Sequence, residues 1–118
     1  MTEAWPTELR VQESGSKLLI SFEDGASYTL SAEYLRVESP SAEVKGHGPG
    51  QETLVFGKRS VKITKAEPIG SYAVRLIFSD MHSTGLYTWN YLAKLGIDQA
   101  TNWQAYEAKL KSERKSRD

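Results

Sequence analysis

The chain contains two histidines, and each stands where a ligand or a base could be used. His82 follows Asp80 by two residues in the stretch Ser79 to Thr84, with Tyr87, Trp89 and Tyr91 just behind it; His47 lies in the Gly-rich run Gly46-His47-Gly48-Pro49-Gly50. Two imidazoles and a carboxylate are the donor types of a facial iron triad. His82, Asp80 and His47 are therefore the candidate metal ligands, with iron or zinc as the ion. Neither histidine, however, begins a His-x-Asp motif. A histidine at the corner of a hairpin, bonded to nearby backbone or hydroxyls, explains His82 with fewer assumptions. That is the preferred reading, and no resident metal or cofactor is expected.

A second chemistry is suggested by the Gly-rich run and the later Gly57-Lys58-Arg59. A phosphate loop needs Gly-x-x-x-x-Gly-Lys-Ser/Thr between a strand and a helix, so that backbone N–H groups converge on the phosphate. Gln51 follows Gly50 and Arg59 follows Lys58, so the motif is not met. A small anion held by Lys58 and Arg59 stays as an alternative to a plain surface loop. Tyr72, Tyr87, Trp89 and Tyr91 could stack on a base or a quaternary ammonium. Trp89 and Leu92 fall at i and i+3 of a short helix, which makes core the better reading for Trp89, with Tyr87 or Tyr91 toward water. No serine sits in a nucleophile elbow and no Ser/His/Asp arrangement is evident, so no enzyme activity is expected of this chain.

The elements that must hold these residues belong to one domain, 1–118, with residues 1–8 and 112–118 expected to fray. Fifteen basic and fifteen acidic residues cancel, which argues against nucleic acid, whose phosphates call for a basic excess. The absence of cysteine excludes disulfides, thiol catalysis and thiolate metal sites. No signal peptide or run of apolar residues long enough for a bilayer is visible, so the expected location is cytoplasmic, away from membranes.

Two strands flank the turn at Ser14-Gly15-Ser16, and in the second Leu18, Ile20 and Phe22 alternate with outward residues. Asp24-Gly25 turns the chain into a return strand over 26–30, and Ser31 is placed to cap a short helix over 32–36. Residues 39–57 read as an irregular loop, with a strand possible over 52–56. Two more strands are expected over 60–68 and 71–80, joined at residues 68–71, with Tyr72, Val74, Leu76 and Phe78 on one face. Thr88 caps the next helix, with Gly96 expected just past its end, and a last helix carries Trp103, Tyr106 and Leu110 on one stripe.

The segments 22–35 and 78–92 repeat one another: Phe22 matches Phe78, Asp24 matches Asp80, and Tyr34-Leu35 match Tyr91-Leu92 with one extra residue. The expected fold is therefore α+β, with small antiparallel sheets or hairpins in two pseudo-repeated strand–turn–strand–helix units plus a C-terminal helix. In this register Met81 replaces Gly25 and His82 replaces Ala26. A non-Gly residue at positive φ is uncommon, so the second turn is either of another type or strained.

The stretches "FEDG", "YLRVESPSAEVKGHGPG" and "YAVRLIFSDMHSTGLYTWNYL" resemble the gamma-butyrobetaine hydroxylase-like N-terminal domain family, from about Leu18 to Gly96. Members of that family lead certain 2-oxoglutarate/iron oxygenases, stand alone in bacteria, or are fused to iron–sulfur carrier ATPases. The resemblance implies a zinc site in the oxygenase branch, built from three cysteines and a hairpin histidine. Those positions fall here on Ser39, Ser41, Val44 and His82. Neutral serines are poor zinc ligands and valine has no donor atom, so the site is expected to be lost. The reading that follows is a non-catalytic interaction module. Its partner, by resemblance, is an iron- or iron–sulfur-handling protein or an oxygenase-type subunit, contacted through His47, Gly48, Lys58, Arg59 and the His82 turn.

Overall fold

The computed structural model describes residues 5–45 and 54–118. Two antiparallel three-stranded meanders, each followed by a short helix, make up most of it, so the fold is α+β as expected. In the first, β1 (Pro6–Gln12), β2 (Lys17–Phe22) and β3 (Ser27–Ser31) pair in that order and lead into α1 (Ala32–Val37). In the second, β4 (Ile63–Ile69), β5 (Ala73–Phe78) and β6 (Leu86–Thr88) do the same and lead into α3 (Trp89–Ile97). A single turn of helix, α2 (Ala42–Lys45), interrupts the expected loop, and α4 (Gln99–Ser112) follows the second unit. Among the described residues, no helix is long and apolar enough to cross a membrane.

The repeat reaches further upstream than the sequence suggests. In the first sheet the register slips between Pro6 and Glu8, opposite Phe22 and Ser21. In the second it slips between Ile63 and Lys65, opposite Phe78 and Ile77. The extra residue is a threonine each time, Thr7 and Thr64, and such bulges bend an edge strand over its partner. Helix entry repeats as well. Ser31 Oγ accepts the Tyr34 N–H at 3.0 Å and Thr88 Oγ1 accepts the Tyr91 N–H at 3.1 Å, each satisfying one of the donors a helix start leaves open.

The period-two pattern puts Leu18, Ile20 and Phe22 from β2, and Val74, Leu76 and Phe78 from β5, into one shared core with Leu35 and Leu92. Burying each of these side chains contributes about 1.5–3 kcal/mol. A smaller cluster joins Val37 to Tyr106 and Leu110 of α4, with Leu54, Val55 and Trp103 at its margin. The helices are tied across the core by a reciprocal pair of bonds. Tyr34 of α1 donates its hydroxyl to the Leu95 carbonyl of α3 at 2.7 Å, and Tyr91 of α3 donates to the Glu38 carbonyl at the end of α1. Both acceptors lie four residues after the matching tyrosine. Burial pushes the Tyr34 hydroxyl up to about 12.

Several expectations are corrected. Tyr72 is 54% exposed, because β5 begins at Ala73 and the alternation does not extend into the turn before it. Of Tyr87 and Tyr91, one of which is expected toward water, Tyr91 is half-buried and Tyr87 is fully buried: it pairs with Val74 on β6, a strand too short to display its own alternation. Gly96 lies inside α3, where the Tyr28 ring would be only 2.4 Å from an added Cβ, and the helix runs on to Ile97. The joint expected at 68–71 begins later, since Pro68 and Ile69 still pair in β4; a proline is tolerated there because β4 is an edge strand. Residues 54–56 form no strand, and Leu54 and Val55 pack on the smaller cluster instead.

Of the end residues expected to fray, 1–4 lie outside the described residues, while Trp5 and Arg117 make bonds to the rest of the chain. Glu23 N–H donates to the Trp5 carbonyl at 2.9 Å, and the strand begins at Pro6. After α4 the chain turns back with Arg114 at φ 56°, and Arg117 forms a two-pronged bond to Glu33 at 2.7 and 2.8 Å.

Candidate functional site

The second hairpin turn positions two of the predicted site residues, Asp80 and His82. Phe78 N–H donates to the His82 carbonyl at 2.9 Å and Met81 N–H to the Phe78 carbonyl at 3.0 Å. The Asp80 Oδ1 atom accepts the His82 N–H at 3.2 Å. These bonds close the turn with Met81 at φ 74°, so the strained alternative holds. The Met81 side chain is 84% exposed, while His82 points inward and is 7% exposed. Its ring packs beside Phe78, with centroids 6.2 Å apart.

The chain leaving α1 meets this ring. Ser39, fully buried, places its Oγ 2.9 Å from His82 Nε2, and Ser41 Oγ lies 3.5 Å from the same nitrogen. Val44 is buried on α2, with its N–H on the Ser41 carbonyl at 3.0 Å. The residues that the resemblance assigns to a zinc shell are thus gathered, but as hydroxyls bonded to an imidazole and an aliphatic side chain nearby. One imidazole, two neutral hydroxyls and a valine do not fit zinc. Among the described residues, the His82 ring meets two hydroxyls where the resemblance would put thiolates.

Asp80 is turned toward cations. Its Oδ2 accepts from Arg36 Nε at 2.8 Å and from Lys58 Nζ at 2.6 Å. Partial burial pushes this carboxyl up, but the Lys58 ammonium, the His82 N–H and the Arg36 guanidinium outweigh it and hold it at about 2. Among the described residues, no group of three His, Cys, Asp or Glu side chains is placed to hold a metal ion. Arg59 meets Asp118, so both cations of the candidate anion site face carboxylates of the chain itself. His47 and Gly48 lie outside the described residues.

The four aromatic residues do not make a platform. Tyr87 donates its hydroxyl to the Leu35 carbonyl, Trp89 Nε1 donates to the Ser71 carbonyl at 2.8 Å, and Tyr91 is tied to Glu38. Burial pushes the Tyr87 hydroxyl far up, so it stays a neutral donor.

Sequence reasoning missed the Arg36–Asp80–Lys58 clasp and the Glu33–Arg117 pair. The match of Asp80 to Asp24 located the turn, but no spacing signals that one copy gathers cations. Glu33 and Arg117 are 84 residues apart and carry no local pattern at all.

Two meander–helix units around one core, with a hairpin imidazole against the exit of the first helix, define a small duplicated α+β module. The chain belongs to the gamma-butyrobetaine hydroxylase-like N-terminal family, which it matches over residues 9–93. Two solution structures determined by NMR are similar to it. One is 41% identical with a TM-score of 0.85, over 99% of this chain and 92% of that one. The other is 44% identical with a TM-score of 0.83, over 99% and 90%. A crystal structure at 1.93 Å from Acidithiobacillus ferrooxidans ATCC 23270, of a protein of unknown function in the DUF971 family, is 37% identical with a TM-score of 0.64. That match covers 77% of this chain and 91% of that one. No curated protein matches the sequence.

Proposed function

We propose that this chain is a non-catalytic interaction module of the cytoplasm, whose partner handles iron or iron–sulfur clusters or is an oxygenase-type subunit. The observation that supports this reading is that hydroxyls, Ser39 and Ser41, meet the His82 ring at the positions of a metal shell. These contacts brace the turn from below, and Met81 at its tip is left exposed to meet a partner. The surface to test is the Gly-rich run with Lys58 and Arg59, together with the His82 turn.

Affinity purification from the source cell should recover one defined, stoichiometric partner. Gly48→Trp and Arg59→Glu should weaken that complex while the circular dichroism of the module stays unchanged. Failure to recover a partner across several salt concentrations would count against the proposal. The competing reading, a metal site using His82 with Asp80 or His47, is checked by elemental analysis of untagged protein. Stoichiometric iron or zinc that disappears in His82→Ala would replace the interaction reading.

A further inference from the structure

The segment after α4 folds back over a set of residues with the features of a recognition site, a shallow groove defined by its contacts. At its base is Glu33, only 5% exposed, whose two carboxylate oxygens accept the Arg117 guanidinium at 2.7 and 2.8 Å. One wall is Trp103, with the Arg117 guanidinium carbon 5.1 Å from its ring centre. The other wall is backbone: Gly57 N–H donates to the Ser116 carbonyl and Arg59 N–H to the Arg117 carbonyl, both at 2.9 Å. Lys115 lies 4.8 Å over the Phe56 ring, and Arg59 pairs with Asp118. A buried carboxylate, an aromatic face and paired backbone donors together read an extended segment that carries arginine followed by an acid.

The burial is asymmetric. The Glu33 side chain is 6% exposed, while that of Arg117 is 30% exposed. The carboxylate therefore belongs to the body of the protein and the guanidinium is the arriving group. Leaving a buried carboxylate without its cation is costly, so the groove changes occupant by exchange of one guanidinium for another.

We propose that this groove is an arginine-recognition site, occupied in cis by residues 113–118, which an Arg-Asp-bearing segment of a protein partner takes over by displacement. The proposal rests on the interaction-module reading for its biological partner, but its chemistry can be tested without one.

The experiment uses the full chain with Arg117→Ala, and a fluorescent peptide Glu-Arg-Lys-Ser-Arg-Asp, the sequence of residues 113–118. Saturable binding is expected in polarisation measurements. It should be at least tenfold weaker with the unsubstituted chain, whose groove is filled. It should also be at least tenfold weaker when the peptide's Arg before Asp becomes Ala, in keeping with a two-pronged charge-assisted pair. Glu33→Gln in the Arg117→Ala background should remove it. Where Arg117→Ala does not fold, Arg117→Lys serves as host, since it keeps the charge and loses the planar fork.

No binding to a folded host, or binding indifferent to the peptide arginine, overturns the site. A dimer of the unsubstituted chain that dissociates on Arg117→Ala overturns the partner assignment, because the segment is then exchanged between copies. A negative peptide result leaves the interaction reading of the module standing. A failed search for a cellular partner leaves the groove's chemistry standing.

Discussion

The β2–β3 and β5–β6 turns share a backbone plan and differ in what is attached to them. Asp24 and Asp80 each accept the N–H two residues on, at 2.9 and 3.2 Å, and the residue between lies at φ 91° in Gly25 and 74° in Met81. Beyond that the copies part. Asp24 is exposed, and Ala26 offers only a methyl group. Asp80 joins Arg36 to Lys58, and His82 reaches Ser39 and Ser41. The first turn reverses the chain; the second also fastens the exit of α1 and the segment around Lys58. A turn anchored by several tertiary bonds can hold a methionine where its counterpart relies on glycine, which takes positive φ without steric cost.

The largest effects should test whether the two halves are equal in the core. Leu35→Ala and Leu92→Ala, both at fully buried positions, should each cost about 2–5 kcal/mol in urea unfolding. A near-zero cost at either one would break the equivalence.

The turns should then separate in acid. Because the folded Asp80 carboxyl titrates at about 2, its stabilisation is complete above the unfolded value near pH 4 and disappears as pH falls toward 2. Asp80→Asn should cost about 1–2 kcal/mol at neutral pH, allowing for solvent screening, and should flatten the stability–pH curve in that window. An unchanged curve would show that the clasp contributes nothing. Tyr34→Phe and Tyr91→Phe each remove one half of the reciprocal pair and should each lower stability by about 1 kcal/mol, Tyr34→Phe by somewhat more because its hydroxyl also accepts Asn102 Nδ2 at 3.1 Å. A larger loss at Tyr91 than at Tyr34 would mean that the pairing is symmetric in form only.

The smallest effect has the opposite sign. Met81→Gly should raise the melting temperature by relieving positive φ, worth about 0.5–1 kcal/mol, whereas Gly25→Met should lower it. If Met81→Gly destabilises instead, the methionine side chain contributes packing that its exposure conceals.

Much of this architecture was legible because the sequence states it locally. Alternation at Leu18, Ile20 and Phe22 and at Val74, Leu76 and Phe78, the caps Ser31 and Thr88, and the paired Asp and Tyr-Leu positions all act within a few residues. The choice between Tyr87 and Tyr91 as the one toward water stayed open because three residues of β6 hold too little pattern. Tyr72 was misread because a turn breaks the period. At the site, the gathering of Ser39, Ser41 and His82 was implied by resemblance alone, since no spacing within one chain joins positions 43 residues apart. The bonds of Arg36 and Lys58 to Asp80, and of Arg117 to Glu33, exist only once the chain is folded.

The crossed tyrosines set a limit on how this protein comes apart. Each half supplies the phenol that caps a carbonyl of the other, at Leu95 and at Glu38, so melting either half strips the survivor of a bond it cannot replace from within. With the core also shared between them, neither half should fold by itself. Loss of order in one should spread to both in a single step, and a chain severed between β3 and β4 should regain structure only when its fragments are mixed.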